Sequence, residues 1–224
     1  MGCLIVLRVL LSEVRMISKR YYFSIRYVPL HADFGLLAGR CIQQMHMFIV
    51  NNPLAKNKVG VCFPRWNATN IGDTIAFVMD DKEVLLGLSF QSYFSMMVKE
   101  GGFELSRVCE VPVNTPEVRF VRNQIVGKSF IASKQRRMKR SMLRADLSAT
   151  EHTPIAKEER VVDHFHRVPI SSASSGQEYL LHIQKEFVES REQANFNSYG
   201  LATNQEKRGT VPDLSIYPFF EESM

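Results

Sequence analysis

The order in which the hydrophobic period changes along the first 111 residues constrains the fold more than any other feature. Tyr21 to Val28 (YYFSIRYV) is aromatic and β-branched and stops at Pro29, which is how a strand is composed and ended. From Asp33 to Phe48 the residues Leu36, Leu37, Cys41, Met45 and Phe48 fall near helical spacing. Asn51 to Lys58 is a polar loop holding Pro53, and Val59 to Phe63 is a short apolar strand stopped by Pro64. Thr74 to Met79 (TIAFVM) reads as a third strand. Lys82 to Val98 reads as a second helix through Val84, Leu85, Leu88, Phe90, Tyr93 and Met97, and Phe103 to Val111 as a fourth strand.

That order, β-α-β-β-α-β, is the ferredoxin-like split unit, also the frame of the RNA-recognition motif. A boundary follows at Pro112 to Pro116, and a second domain opens with a strand over Val118 to Gln124. Asp146 to His166 is a polar linker or frayed helix. Val168 to Ser172 and Tyr179 to Ile183 read as strands around the Ser/Gly turn SASSGQ, and NSYGL is a glycine-bearing loop. No internal repeat is visible. The expected class is therefore α+β: an N-terminal ferredoxin-like (RRM-like) domain over 16–114, a C-terminal degenerate ferredoxin-like domain over 115–214, and a tail over 215–224.

Composition excludes the alternatives to a folded domain pair, since 45% of the 224 residues are hydrophobic and 23% charged, unlike disordered or fibrous chains. Cys3, Cys41, Cys62 and Cys109 form no C-x-x-C pair, so neither a zinc site nor a disulfide framework is indicated, and a reducing cytoplasm is the expected compartment. The opening MGCLIVLRVLLSEVR has an apolar run well short of the ~20 residues a membrane span needs, and Arg8 interrupts it. It also lacks a signal peptide's basic start and cleavage site. Residues 1–15 are read as a mis-called or disordered leader, with Met16 as the expected start and no membrane partner.

Charge is concentrated in one place. Lys128, Lys134, Arg136, Arg137, Lys139, Arg140 and Arg144 are seven cations in a stretch without an acid, against a chain total of +5, so the remainder nets −2. The stretch favours helix, with Ser133 as an N-cap. Arg136, Lys139 and Arg140 then stand at i, i+3 and i+4, where like charges repel unless a polyanion neutralises them. RNA or DNA contact is the favoured reading; a solvated basic face or a localisation signal is the bland one.

Five markers in order carry a resemblance. They are His46 late in the first helix, the strand VGVCFP (Val59 to Pro64), the pair Arg122 and Gln124 ahead of the basic helix, S-x-S-S-G-Q from Ser172 to Gln177, and Y-G-L from Tyr199 to Leu201. In these the chain resembles the CRISPR repeat-processing endoribonucleases of type I-F systems, Csy-type members of the sixth-numbered CRISPR-associated family, over about Tyr21 to Pro212. It is also similar to transposon-carried relatives that serve RNA-guided DNA insertion. The resemblance implies a metal-independent endoribonuclease without cofactor that binds the repeat stem-loop and cuts once, 3′ of it, leaving a 2′,3′-cyclic or 3′-phosphate end. The product crRNA stays bound. Implied partners are the backbone and large subunits of a type I-F Cascade-like surveillance complex, a transposition adaptor protein in the transposon setting, and target DNA indirectly.

The residues suit that chemistry. Metal-free cleavage needs a base beside the ribose 2′-hydroxyl, and an imidazole, titrating ordinarily at about 6.5, serves near neutral pH. The resemblance makes His46 that base and Ser172 the residue that orients the nucleophile. Ser174 and Ser175, with backbone amides at Gly176, are aimed at the scissile phosphate, though a Ser-rich hairpin turn is an equal reading without the family. Tyr199 packs against or bonds near His46. Arg122 and Gln124, two apart on a strand, share a face and match guanine and adenine edges. Gln177 joins the RNA-contacting set, Tyr179 stacks on a base at the stem foot, and the cations from Lys134 to Arg144 hold phosphates. Asp80 with Asp81 is a solvated turn, and His164 with His166 are surface or strand residues, not a metal pair. The competing readings are a non-catalytic hairpin-binding subunit and, more remotely, a DNA-binding regulator.

Overall fold

The computed structural model describes residues 19–124, 139–140, 164–171 and 176–217. Its first sheet contains β1 (Tyr21–Tyr27), β2 (Gly60–Cys62), β3 (Thr74–Met79), β4 (Phe103–Leu105) and β5 (Cys109–Glu110). The helices are α1 (Phe34–Asn51), α2 (Lys82–Ser89) and α3 (Ser92–Lys99). Strand order β2-β3-β1-β4, with all pairs antiparallel, is the ferredoxin-like arrangement expected of the chain order. The second sheet has the order β7-β8-β6-β9, from β6 (Glu117–Arg122), β7 (His166–Ser171), β8 (Glu178–Val188) and β9 (Val211–Pro212), again all antiparallel. The protein is thus α+β, with two antiparallel sheets and three helices among the described residues.

Local chemistry explains the elements. All six residues of β3 are buried, so a continuous apolar run, rather than an alternating one, is what the sheet centre requires. α1 starts where the Asp33 carboxylate accepts from the Leu36 N–H at 3.0 Å. Its buried face is Ala38, Cys41, Ile42, Met45 and Ile49, while Leu36 is exposed, a correction to the expected stripe. Phe23, Phe77, Phe94 and Phe103 fill the space under the first sheet, each stabilising by about 1.5–3 kcal/mol through burial.

Three further expectations change. The helix expected over Lys82 to Val98 is two helices, because the chain turns at Phe90–Gln91. Ser89 Oγ donates to the Leu86 carbonyl at 2.7 Å and the Gln91 amide to the Gly87 carbonyl at 3.2 Å, while Phe90 stands 71% exposed. Asp81 is not a mere solvated turn: its carboxylate accepts from Glu83 and Val84 N–H and caps α2. The strand expected over Phe103 to Val111 is split into β4 and β5. Ile25 faces Leu105 and Tyr21 faces Glu110, so the outer chain carries one residue more than β1, a bulge at which Ser106 bonds both backbone groups of Ser24.

The two sheets share one apolar core. α1 lies against β7 so closely that a Cβ on Gly39 would fall 1.9 Å from the Pro169 carbonyl oxygen, which is why the helix carries glycine there. Phe63 meets Phe120 edge-on at 5.1 Å, and Arg20, ahead of β1, forms an ion pair with Glu117 at the start of β6, both side chains nearly enclosed.

Candidate functional site

Residues 197–202 sit in the seam between the sheets. Gly200 accepts at its carbonyl from the Val61 N–H of β2 at 2.8 Å, and Ala202 accepts from the Arg122 N–H at the end of β6 at 2.9 Å. Asn197 shapes the turn, its side-chain oxygen accepting from Tyr199 N–H at 2.8 Å and Leu201 N–H at 3.3 Å. Gly200 has φ +70°, and a Cβ there would fall 2.6 Å from Val61 Cγ2 and 3.1 Å from Met45 Sδ. Only glycine meets both demands, so the backbone comes down onto α1 and presents Ser198 and Tyr199 to His46.

His46, half-buried one turn from the end of α1, has two contacts there. Its Nδ1 lies 2.9 Å from the Ser198 carbonyl, and its ring stacks on Tyr199 with centroids 4.9 Å apart and planes at 25°. A carbonyl only accepts, so in the neutral imidazole Nδ1 carries the proton and Nε2 the free lone pair. The Tyr199 hydroxyl is hydrogen-bonded to that of Tyr179, and the Arg122 guanidinium sits 5.3 Å from the Tyr199 ring centre. Burial, then the bond to Tyr199, pushes the Tyr179 phenol up to about 12. One turn before His46, Gln43 accepts from Ser171 Oγ at 3.3 Å, tying the end of β7 to the same helix face.

His46, Tyr199, Tyr179 and Arg122 are therefore brought together from four separated stretches. Ser172, Ser174 and Ser175 lie outside the described residues, as do Lys134, Arg136, Arg137 and Arg144, the leader before residue 19 and the tail beyond residue 217. Gln177 is exposed at the foot of β8, after Gly176 at φ +62°; Lys139 and Arg140 are exposed and helical. Arg122 and Gln124 do not share a strand face, because β6 ends at Arg122 and Gln124 is helical and exposed. Asn123 makes the change, its N–H donating to the His182 carbonyl.

His166 is a strand residue, as expected, and not a surface one. It is buried on β7, with Nε2 2.8 Å from the Asn67 carbonyl and 3.2 Å from His164 Nε2, and its ring 4.3 Å from that of Trp66. Burial pulls its pKa down, an effect that the Asn67 bond opposes and His164 reinforces. Among the described residues no group of three or more His, Cys, Asp or Glu is placed to hold a metal, and no helix is long and apolar enough to cross a membrane. Sequence reasoning missed the carbonyl of Ser198 and the Ser171–Gln43 link; the only written sign was the turn chemistry of Asn197 and Gly200.

A ferredoxin-like lobe whose helix offers an oriented imidazole at the seam with a second antiparallel sheet defines the class: two-sheet α+β proteins on a ferredoxin-like frame. The chain belongs to the Csy4 family of CRISPR-associated proteins, whose family model matches residues 22–214. No curated protein matches the chain. The family comprises CRISPR RNA endoribonucleases that bind the repeat hairpin, and the broad role of the chain is accordingly CRISPR repeat processing.

Proposed function

We propose that the chain cuts its precursor transcript without a metal, through attack of a ribose 2′-hydroxyl on the adjacent phosphate, with His46 as general base. The observation that carries this is the Nδ1 contact to the Ser198 carbonyl, which leaves Nε2 as the basic nitrogen. His46 Nε2 takes the 2′-hydroxyl proton, the 2′-oxygen bonds to phosphorus, and the bond to the 5′-oxygen breaks. The departing oxygen takes up a proton from the imidazolium or from water, and the products are a 2′,3′-cyclic phosphate and a free 5′-hydroxyl. Ser172 orients the nucleophile, and Ser174, Ser175 and the Gly176 amide donate to the developing phosphate charge. The tie between Ser171 and Gln43 supports this, because it brings the end of β7, the residue before Ser172, to the helix of His46.

The lobes divide the work. Residues 16–114 carry the base, and 115–214 hold the hairpin through Arg122, Gln124, Gln177, Tyr179 and the cations from Lys134 to Arg144, mostly at phosphates. The product stays bound, and the complex serves as the hairpin-holding subunit of a type I-F surveillance assembly in the cytoplasm, in defence or in RNA-guided transposition.

The test uses an RNA stem-loop transcribed from the repeat of the chain's own array, with EDTA present. Wild-type protein is expected to cut it, and His46→Ala to lower the single-turnover rate by about 10²–10⁴-fold with hairpin affinity retained. Cleavage by His46→Ala at the wild-type rate refutes the assignment, and binding without cleavage by the wild type refutes the enzyme in favour of a hairpin-binding subunit.

A further inference from the structure

Tyr199 is held at three points, and only one is directional. The stack on His46 and the Arg122 guanidinium over its ring set the tilt of the ring but let it slide, whereas the hydrogen bond between the Tyr199 and Tyr179 hydroxyls pins its far end. Asn197 and Gly200 fix the backbone beneath Tyr199 but not the torsions of its ring. Tyr179 is better anchored. It is the second residue of β8, paired with Ile170 of β7, half-buried, with its ring edge-on to Tyr199 at 6.2 Å and 66°. Its raised pKa keeps it a phenol, able to donate, through the neutral range.

We propose that Tyr179 is a positioning residue for RNA cleavage, whose hydroxyl pins the tip of the Tyr199 ring and, through the ring stack, holds the His46 imidazole in its seat. This rests on the reading of His46 as general base. Stacking on a base needs only the ring of Tyr179, so the hydroxyl has a separate task. The same tyrosine pair links β8, which follows Ser174 and Ser175 in the chain, to the seam loop that carries Ser198. Substrate contact and base alignment therefore share one residue.

Tyr179→Phe removes the hydroxyl and keeps the ring. Two measurements read the result: single-turnover cleavage of the repeat stem-loop alongside its affinity, and the His46 imidazole signal by NMR in RNA-free protein, which senses the ring current of Tyr199. The expected result is a rate lower by about fivefold, typical of one neutral hydrogen bond, with affinity within about twofold. The His46 signal is expected to move, and the double variant Tyr179→Phe/Tyr199→Phe to be no slower than the slower single. An unchanged rate overturns the proposal whatever the signal does. A loss of affinity matching the loss of rate also overturns it, since the hydroxyl would then be touching RNA. Failure of the general-base reading is distinguishable, because it appears as wild-type cleavage by His46→Ala.

Discussion

Replacing Gly200 by alanine tests how the seam loop holds the imidazole. The residue sits at φ +70°, where a side chain costs about 1–2 kcal/mol. The added Cβ would also lie 2.6 Å from Val61 Cγ2 on a buried strand and 3.1 Å from Met45 Sδ in the buried face of α1. Neither neighbour is a loose surface tip, so overpacking adds about 1–3 kcal/mol. The sum, about 2–5 kcal/mol, is below the 5–15 kcal/mol by which a typical domain is stable, so the chain is expected to fold but to lift the loop. Ser198 and Tyr199 move with it, and His46 loses both contacts. A displacement of about 1 Å costs on the order of 10²-fold in rate. Gly101 supplies the control, since it has φ +72° with no atom within 4 Å of an added Cβ and lies between α3 and β4. Gly101→Ala isolates the backbone cost, about 1–2 kcal/mol, and leaves cleavage alone. Urea unfolding and single-turnover cleavage of the repeat stem-loop on both variants give the comparison. Equal destabilisation of the two, or wild-type cleavage by Gly200→Ala, refutes the claim that the loop is seated by close contact.

Gly39→Ala places a methyl group 1.9 Å from the Pro169 carbonyl oxygen, a backbone atom that cannot swing aside, so α1 must separate from β7. A loss of about 1–3 kcal/mol or more is expected in urea unfolding, and a variant within 0.5 kcal/mol of wild type contradicts the packing described. Asp213 gives a pH prediction. Burial alone would raise its carboxyl, but donors at Ser215 and the Lys185 ammonium at 3.2 Å outweigh it and hold the group below its ordinary 3.8. The folded state thus binds fewer protons than the unfolded, and the stabilisation is complete above 3.8 and lost as pH falls from there through the folded value. Unfolding free energies of wild type and Asp213→Asn between pH 5 and 3 are expected to converge as the pH drops; parallel curves refute the assignment.

The parts of the fold legible in the sequence were those in which one interaction dominates. TIAFVM matches β3 residue for residue because a strand buried on both faces leaves no alternative pattern, and β1 ends where Pro29 approaches. The break between α2 and α3 was hidden, since Phe90, Tyr93 and Met97 continue the helical spacing past it. It arises from Ser89 and Gln91 side chains bonding back to carbonyls, a competition that periodicity does not register. The bulge between β4 and β5 was hidden for the same reason. At the site, strand alternation misplaced Gln124 because β6 ends at Arg122, two residues short of the strand expected over Val118 to Gln124. No spacing rule brings His46 to Ser198, 152 positions away. Family resemblance named the histidine, and the structure supplied its tautomer.

The loop over residues 197–202 is stitched to a strand of each sheet, to Val61 of β2 on one side and Arg122 of β6 on the other, with the helix of His46 under it. A side chain suspended that way behaves as a gauge of how well the halves of the molecule are aligned. Substitutions far from RNA that merely loosen one half against the other will mimic active-site lesions, and the molecule will fall silent on warming before either sheet melts.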